Sequence, residues 1–158
     1  GACALAKWLD GTRSLNLSNN GIKDAGLKIL ARHLKTNFTV THFDARGNDI
    51  TSDGAFYLAD CLSENSTLLD ISLDSNRLDD RAAIDFAENL SSNLATRLSI
   101  LDLARNDIED EGGMRLANFL ATNVSIARLS LSSKRLSAKG ARACEDIAGL
   151  RIDVNWQK

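Results

Sequence analysis

A short pattern of alternating apolar and polar residues recurs five times along this chain of 158 residues. The copies lie at 15–20, 43–48, 71–76, 101–106 and 129–134, at offsets of 28, 28, 30 and 28 residues. In every copy the first and third positions are apolar, which is typical of a short strand that buries one of its two faces. The fifth copy differs from the others because Lys134 stands where they have an asparagine.

A segment with helical spacing follows each of these strands. Leu27, Leu30 and Leu34 lie on one face of such a segment, and the same spacing predicts helices at 26–34, 54–62, 82–90, 112–120 and 140–147. The chain contains no proline, which suits parallel strands whose amides must all join a ladder. A strand–helix unit repeated at a fixed period predicts a solenoid whose units stack on a shared core.

Asparagines recur at two positions of the repeat. One set follows the strands, and because an amide side chain both donates and accepts, we expect it to form a structural ladder between units, at Asn20, Asn48, Asn76 and Asn106. The other set falls in Asn-x-Ser/Thr sequons, of which Asn37, Asn65 and Asn123 share one repeat position. This recurrence favours a structural role in the repeat over glycosylation.

The two ends of the chain depart from the pattern. Residues 1–11 are expected to form a capping helix, residues 12–149 the five repeats, and residues 150–158 a closing strand with Trp156 near the solenoid end. The whole chain is thus interpreted as one domain. Because the sequence enters in mid-pattern and without an initiator methionine, the question of a longer parent protein stays open.

Composition is that of an ordinary soluble domain, with 44% hydrophobic and 25% charged residues. We find no apolar run near the roughly 20 residues that span a bilayer, and no signal peptide, so no membrane association is expected. Three cysteines occur without a Cys-x-x-Cys pair, and Cys144 takes a position held by leucine in other units. Unpaired core thiols predict a reducing, cytoplasmic location.

The repeat resembles a known family in its motifs. Strands of the form Leu-x-Leu-x-x-Asn-x-Ile, followed by Gly-x-x-x-Leu-Ala-x-x-Leu helices, resemble ribonuclease-inhibitor-like leucine-rich repeats. Residues 1–6, Gly-Ala-Cys-Ala-Leu-Ala, are similar to the GALA-type repeats of bacterial effector proteins. The resemblance implies a right-handed α/β solenoid in an open arc, with parallel strands on the concave face and helices on the convex face. It also implies that the chain acts by gripping another protein.

Outward positions of the strands carry the candidate binding residues, because the inward positions are used by the core. The predicted protein-binding set is His42, Asp44, Arg46, Asp70, Ser72, Asp74, Ile100, Asp102, Arg105, Arg128 and Trp156. The pattern predicts an acidic centre rimmed by arginines, Arg151 among them. Ile100 is the one apolar residue in this set besides Trp156, and an exposed apolar side chain offers a surface that a partner can cover.

Charge is uneven along the chain, although its net value is only −2. Residues 39–124 hold 16 acidic and 6 basic residues, whereas residues 125–158 hold 3 acidic and 7 basic ones. An acidic centre argues against nucleic acid, which needs a basic footprint. It favours a protein partner with a basic or mixed-charge surface, bound by a chain that is itself a monomer.

Catalytic chemistry is not indicated. His33 and His42 are the only histidines, and the sequence offers no nucleophile with an adjacent base, no glycine-rich phosphate loop and no metal-ligand spacing. We therefore expect a non-enzymatic binding module without cofactor or metal: a bacterial effector delivered into the host cytosol, or an inhibitor or regulator of another effector or enzyme. Two alternatives remain open, a GTPase-activating protein of the Ran type and the ligand-sensing repeat segment of a larger receptor.

Overall fold

The computed structural model describes residue 9 and residues 11–154, and shows strand–helix units stacked in sequence order. The strands are Ser14–Asn16 (β1), His42–Asp44 (β2), Asp70–Ser72 (β3), Ile100–Asp102 (β4), Arg128–Ser130 (β5) and Ile152–Asp153 (β6). The helices are Lys23–Leu34 (α1), Ser52–Leu62 (α2), Asp80–Ser92 (α3), Asp110–Thr122 (α4) and Ala138–Ala148 (α5). The strands form one parallel sheet in the order β1 to β6, which confirms the predicted α/β solenoid with strands on one face and helices on the other.

One continuous core lies between the strand layer and the helix layer. The inward strand residues and the apolar helix faces are buried as predicted, and so is Cys144. The helices begin two or three residues earlier than predicted, and in three of them a side chain caps the start, from Thr51, Asp79 and Ser137. In α2, for example, the Thr51 hydroxyl accepts the backbone N–H of Asp53.

The predicted asparagine ladder is present at Asn48, Asn76 and Asn106. Asn76 Oδ1 accepts the backbone N–H groups of Asn48 and Ile50 at 3.0 and 3.1 Å, and its amide donates to the Ala45 and Leu73 carbonyls. Each ladder asparagine thus satisfies buried backbone groups of its own unit and of the unit before it.

The ladder prediction is wrong for Asn20. This side chain is exposed, and its amide donates only to the carbonyl of Ser18 in its own unit. The physical reason is its position, because β1 is the first strand of the sheet and no strand of the described residues lies on its other side.

A second ladder lies where each helix turns back towards the next strand. The Asn65 amide donates to the Leu34 and Asn37 carbonyls at 2.7 and 3.2 Å. Asn93 makes the same two contacts one unit later, with the carbonyls of Leu62 and Asn65. These bonds support the interpretation of the sequon asparagines as repeat positions.

The same ladder corrects the expectation for Arg151. Its guanidinium donates to the Leu120 carbonyl and, at 2.5 Å, to the Asn123 carbonyl, in the place that an asparagine amide takes in other units. Arg151 lies in a short 3₁₀ turn, Gly149–Arg151, that precedes β6. It therefore does not rim the outward face of the sheet, as the pattern predicted.

A third set of bonds joins the starts of neighbouring helices. The Asp80 carboxylate accepts the backbone N–H of Glu109 at 2.6 Å, and Asp110 accepts that of Ser137 at 2.8 Å. A glycine of the following helix packs directly over each aspartate. A Cβ built on Gly112 would lie 2.9 Å from the Cα of Asp80, so this contact fixes the spacing between α3 and α4.

The terminal segments are described only in part. Leu9 is buried in the core, and its carbonyl accepts the N–H of Thr12 and the hydroxyl of Thr39. The remaining residues of the expected 1–11 capping helix, apart from Gly11, lie outside the described residues. At the other end Ile152 and Val154 are buried as expected, while Trp156 lies outside the described part. The division into 1–11, 12–149 and 150–158 therefore stays a prediction.

Candidate protein-binding face

The outward side chains of the strands form two columns across the sheet. The strand register aligns Ser14, His42, Asp70, Ile100 and Arg128 in the first column, and Asn16, Asp44, Ser72, Asp102, Ser130 and Asp153 in the second. We call these two columns, with the residues that follow the strands at Ser18, Arg46, Asp74, Ala104, Arg105 and Ser132, the strand face. The predicted alignment of its residues is confirmed, whereas their contact with a partner stays a prediction.

Arginines on the strand face neutralise several of its carboxylates. Arg46 pairs with Asp44 of its own unit, at 2.6 Å between Nη2 and Oδ2. Arg105 reaches across to the preceding unit and pairs with both oxygens of Asp74, and its Nε lies 2.7 Å from Oδ1. Arg128 likewise reaches Asp153 at 3.2 Å. The sequence indicated arginines around an acidic centre, but the structure shows acid and base joined in pairs.

Asp74 holds the guanidinium of Arg105, which reaches it from the following unit. Its side chain is only 3% exposed, while that of Arg105 is 68% exposed. Burial alone would raise the pKa of the Asp74 carboxyl, but the hydrogen bonds and charge of Arg105, with a bond from Ser75, hold that pKa below its usual value. Asp74 thus fixes the position of the Arg105 guanidinium, which is the group a partner can reach.

Asp70 and Asp102 are the carboxylates of the strand face that have no arginine partner among the described residues. Asp102 accepts the N–H of Ala104 at 3.1 Å and the hydroxyl of Ser72 at 3.2 Å. Burial raises the pKa of the Asp102 carboxyl above its usual value. A cationic group of a partner placed against Asp102 would favour the charged form of that carboxyl.

Ile100 stands between opposite charges. In the register it lies beside Asp70 on one side and Arg128 on the other, and its side chain is half-buried. Protein interfaces commonly have an apolar centre surrounded by polar residues, and Ile100 among charged neighbours has this arrangement on a small scale. The strand face therefore combines two unpaired acids, anchored arginines and one apolar side chain.

Groups for covalent chemistry are not gathered on the strand face. His42 Nδ1 lies 2.8 Å from the hydroxyl of its neighbour Thr41. Cys61 and Cys144 are buried in the core, where burial raises the pKa of their thiols to about 12 and about 11. Within residue 9 and residues 11–154, no cluster of three or more histidine, cysteine or acidic side chains could hold a metal ion. The arrangement can bind by charge and hydrogen bonds.

A shallow depression of about 720 Å³ lies beyond the carboxyl ends of β4 and β5. Asp102, Arg105, Ser132 and Lys134 contribute to its lining. The sequence pattern indicated Lys134 only as the residue that replaces the ladder asparagine in the fifth unit. Its exposed side chain adds a positive charge beside Arg105 at this end of the strand face.

Comparison with known proteins agrees with this architecture. Residues 13–31, 36–59 and 96–117 match the family model described as Leucine Rich repeat. The chain is 29% identical over 161 residues to the ribonuclease inhibitor of Sus scrofa, and the match covers 98% of this chain and 35% of that protein. It is 24% identical over 127 residues to RAN GTPase-activating protein 2 of Arabidopsis thaliana, covering 80% of this chain and 23% of that protein.

A solved structure shows the same fold. The Leiomodin-1 Actin-Binding Site 2 (ABS2) superposes with a TM-score of 0.73 at 18% identity, over 93% of this chain and 85% of that one. The comparisons together support a ribonuclease-inhibitor-like leucine-rich-repeat family, a type of domain suited to protein binding. The chain spans about a third of the length of the ribonuclease inhibitors it matches. No helix in the described part of the chain is long and apolar enough to cross a membrane.

Proposed function

We propose that this leucine-rich-repeat chain is a non-enzymatic binding module that docks a partner protein on its strand face. The observation that carries the proposal is the pair Asp70 and Asp102, the two carboxylates of this face that no described arginine neutralises. With Ile100 beside Asp70 in the register, they form the centre of the proposed contact. Its occupant is a protein surface of basic or mixed charge.

The size of the face is adequate for such a contact. Six strands at about 4.8 Å spacing give a width of roughly 24 Å. Up to three outward positions in each of the first five units, with Asp153 of β6, can then supply the roughly 800 Å² that each partner buries in a standard interface. The anchored guanidiniums of Arg46 and Arg105 would pair with acidic groups of the partner, which sets the orientation of the complex.

Removing the two unpaired charges is expected to abolish capture of the partner. The test variant is Asp70→Arg with Asp102→Asn, because an asparagine at 102 keeps an acceptor for the Ala104 N–H. The wild-type chain, immobilised, would be used to capture proteins from its source cells, with identification by mass spectrometry. The partner retained by the wild type should be lost by the variant.

A matched control changes the same amount of charge on the helix side. Asp146→Arg with Glu145→Gln lies on α5, where both side chains are exposed. The control should retain the partner as the wild type does. Equal retention by the strand-face variant and the control would contradict the proposed docking site.

Stimulation of a GTPase is the second candidate function, favoured by the similarity to the Arabidopsis Ran GTPase-activating protein. The measurement is phosphate release from GTP-loaded Ran with and without this chain in catalytic amounts. We expect no acceleration, because the chain would act by occupying a partner rather than by completing its catalytic site. An acceleration of about 10³-fold or more, the scale on which such activators work, would favour the second function instead.

The setting of the module is a further part of the proposal. Roles as a bacterial effector in a host cytosol, as an inhibitor of another effector or enzyme, and as the sensing segment of a larger receptor all use the same docking event. The relatives named above are animal and plant proteins and give the bacterial setting no support. Identification of the captured partner distinguishes among these roles.

A further inference from the structure

We infer that a second surface of this chain, at the edge formed by its helix-to-strand loops, binds an acidic peptide segment that carries aliphatic or aromatic side chains. The surface is separate from the strand face and shares no residue with it. We call it the loop edge, and define it by three exposed apolar residues and a depression beside them, lined by Gly11, Arg13, Phe38, Thr39, Thr41, Thr67, Leu69 and Arg97.

The apolar residues of the loop edge occupy one repeat position. Each of them directly follows an asparagine at the repeat position of the second ladder, which is held by Asn37, Asn93 and Asn123. They are Phe38, Leu94 and Val124, with exposed fractions of 80%, 99% and 96%. They are three of the four large apolar side chains that stand exposed in the described part of the chain. Large apolar groups gathered on one edge of an otherwise polar surface are typical of an interaction site.

The fold gives a reason why these side chains point into solvent. The side-chain oxygen of Asn37 accepts the N–H groups of Thr39 and Val40, which places the intervening Phe38 at the crest of the turn. The equivalent residue in the next unit is Ser66, and the turn there keeps the same hydrogen bonds. Folding therefore does not require an apolar residue at this position.

Two arginines that have no counter-ion in the described part of the chain mark the same edge. Arg13 and Arg97 line the depression of about 580 Å³, and neither guanidinium forms a hydrogen bond or ion pair among the described residues. None of the eight lining residues is acidic, although residues 39–124 as a whole carry ten more acidic than basic groups. Charge complementarity thus selects an acidic occupant.

The spacing of the charges fits an extended segment of the partner. Arg13 lies one residue before β1 and Arg97 three residues before β4, which is three strand spacings away, or roughly 14 Å across the sheet, with a shift of two residues along the strands. About five residues of extended chain cover that distance. Carboxylates at both ends of such a segment would reach the two arginines, while an aliphatic or aromatic side chain between them would cover Phe38.

The test is selection of ligands from a random 12-residue peptide display library on the immobilised wild-type chain. Enriched peptides should be rich in aspartate and glutamate together with leucine, isoleucine, phenylalanine or tryptophan. Their affinities would then be measured by fluorescence anisotropy. Arg13→Glu with Arg97→Glu should weaken binding at least about tenfold, because two attractive contacts become repulsive. Phe38→Ser should also weaken it.

Control variants separate this inference from a general charge effect and from the proposed function. Arg32→Glu with Arg142→Glu changes two exposed arginines on the helices, and Phe56→Ser removes the exposed aromatic of α2. Both should leave the peptide affinity unchanged, as should the strand-face variant described above. Failure to enrich any peptide, enrichment without an excess of acidic residues, or equal affinity for the Arg13/Arg97 variant would each overturn the inference.

Discussion

Asn76→Ala is expected to lower the free energy of unfolding by about 3 kcal/mol, at the upper end of the cost of orphaning buried polar groups. The side chain makes four short hydrogen bonds to buried backbone, two as acceptor from Asn48 and Ile50 and two as donor to Ala45 and Leu73. Alanine removes all of them, and the site is too enclosed for bulk water to replace them. Urea denaturation followed by circular dichroism measures the change.

Asn20→Ala is the matched control for this prediction. It is the same substitution at the same repeat position, but Asn20 is exposed and its amide donates only within its own unit. Its effect should stay within about 0.5 kcal/mol, as for ordinary surface changes. Similar losses from both variants would mean that intrinsic turn preference, and not the contact between units, accounts for the asparagines.

Gly112→Ala is expected to destabilise the chain by about 2 kcal/mol, although alanine is the better helix former by about 1 kcal/mol. The added methyl would lie 2.9 Å from the Cα of Asp80, and a backbone atom cannot turn away as a side chain can. Relief requires α3 and α4 to move apart, which stretches the bond between Asp80 and the Glu109 N–H. Thermal and urea denaturation both report the loss.

The neighbouring glycine of the same helix provides the comparison. A methyl on Gly113 would meet the ends of three side chains, Leu136 Cδ1 at 3.0 Å, Cys144 Sγ at 3.2 Å and Leu131 Cδ2 at 3.4 Å. These atoms can yield by a few tenths of an ångström, so Gly113→Ala should be near neutral or slightly stabilising. If Gly112→Ala proved as harmless as Gly113→Ala, the helix-start contact would not set the spacing of the units.

The repeat pattern predicted the stacking of the units, because the stacking depends on residues that recur in every unit. Alternation around Leu15 and its equivalents was enough to give the strands, their parallel order and the register of the outward columns. The ladder asparagines were predictable for the same reason. Asn20 could not be distinguished from Asn76 by sequence, because its exposure follows from being in the first strand and not from its own residue type.

Other structural features could not be predicted from the sequence, because different residue types perform the same role in different units. Arg151 takes the place of an asparagine amide in the second ladder, a substitution that no residue pattern indicates. The turn before each ladder asparagine of the first set needs a left-handed residue, and only Asn19 and Gly47 are residue types that favour this conformation. Ser75 and Arg105 adopt the same positive φ at 56° and 53°.

For the candidate site, the sequence predicted which residues lie on the strand face but not which of their side chains pair with each other. The sequence placed Arg105 near an acidic centre, but the choice of Asp74 as its partner depends on a long side chain reaching across to the preceding unit. The loop edge was missed because its exposed residues, such as Phe38 and Val124, lie between the strand and helix patterns. Their recurrence after the asparagines was the signal that could have revealed it.

The three sets of bonds between units have an implication for how such a chain can change in length. Most of them join residues 26 to 31 positions apart, so each unit offers its successor the donors and acceptors that it received itself. Duplication of one of the central units, which carry Asn48, Asn76 and Asn106, would therefore recreate the same bonds at each new junction. Even the two extra residues of the third unit are taken up in the loop at 94–97, outside all three sets. The chain can therefore gain whole repeat units in evolution, which extends its outer surfaces while the packing and hydrogen bonds between units stay the same.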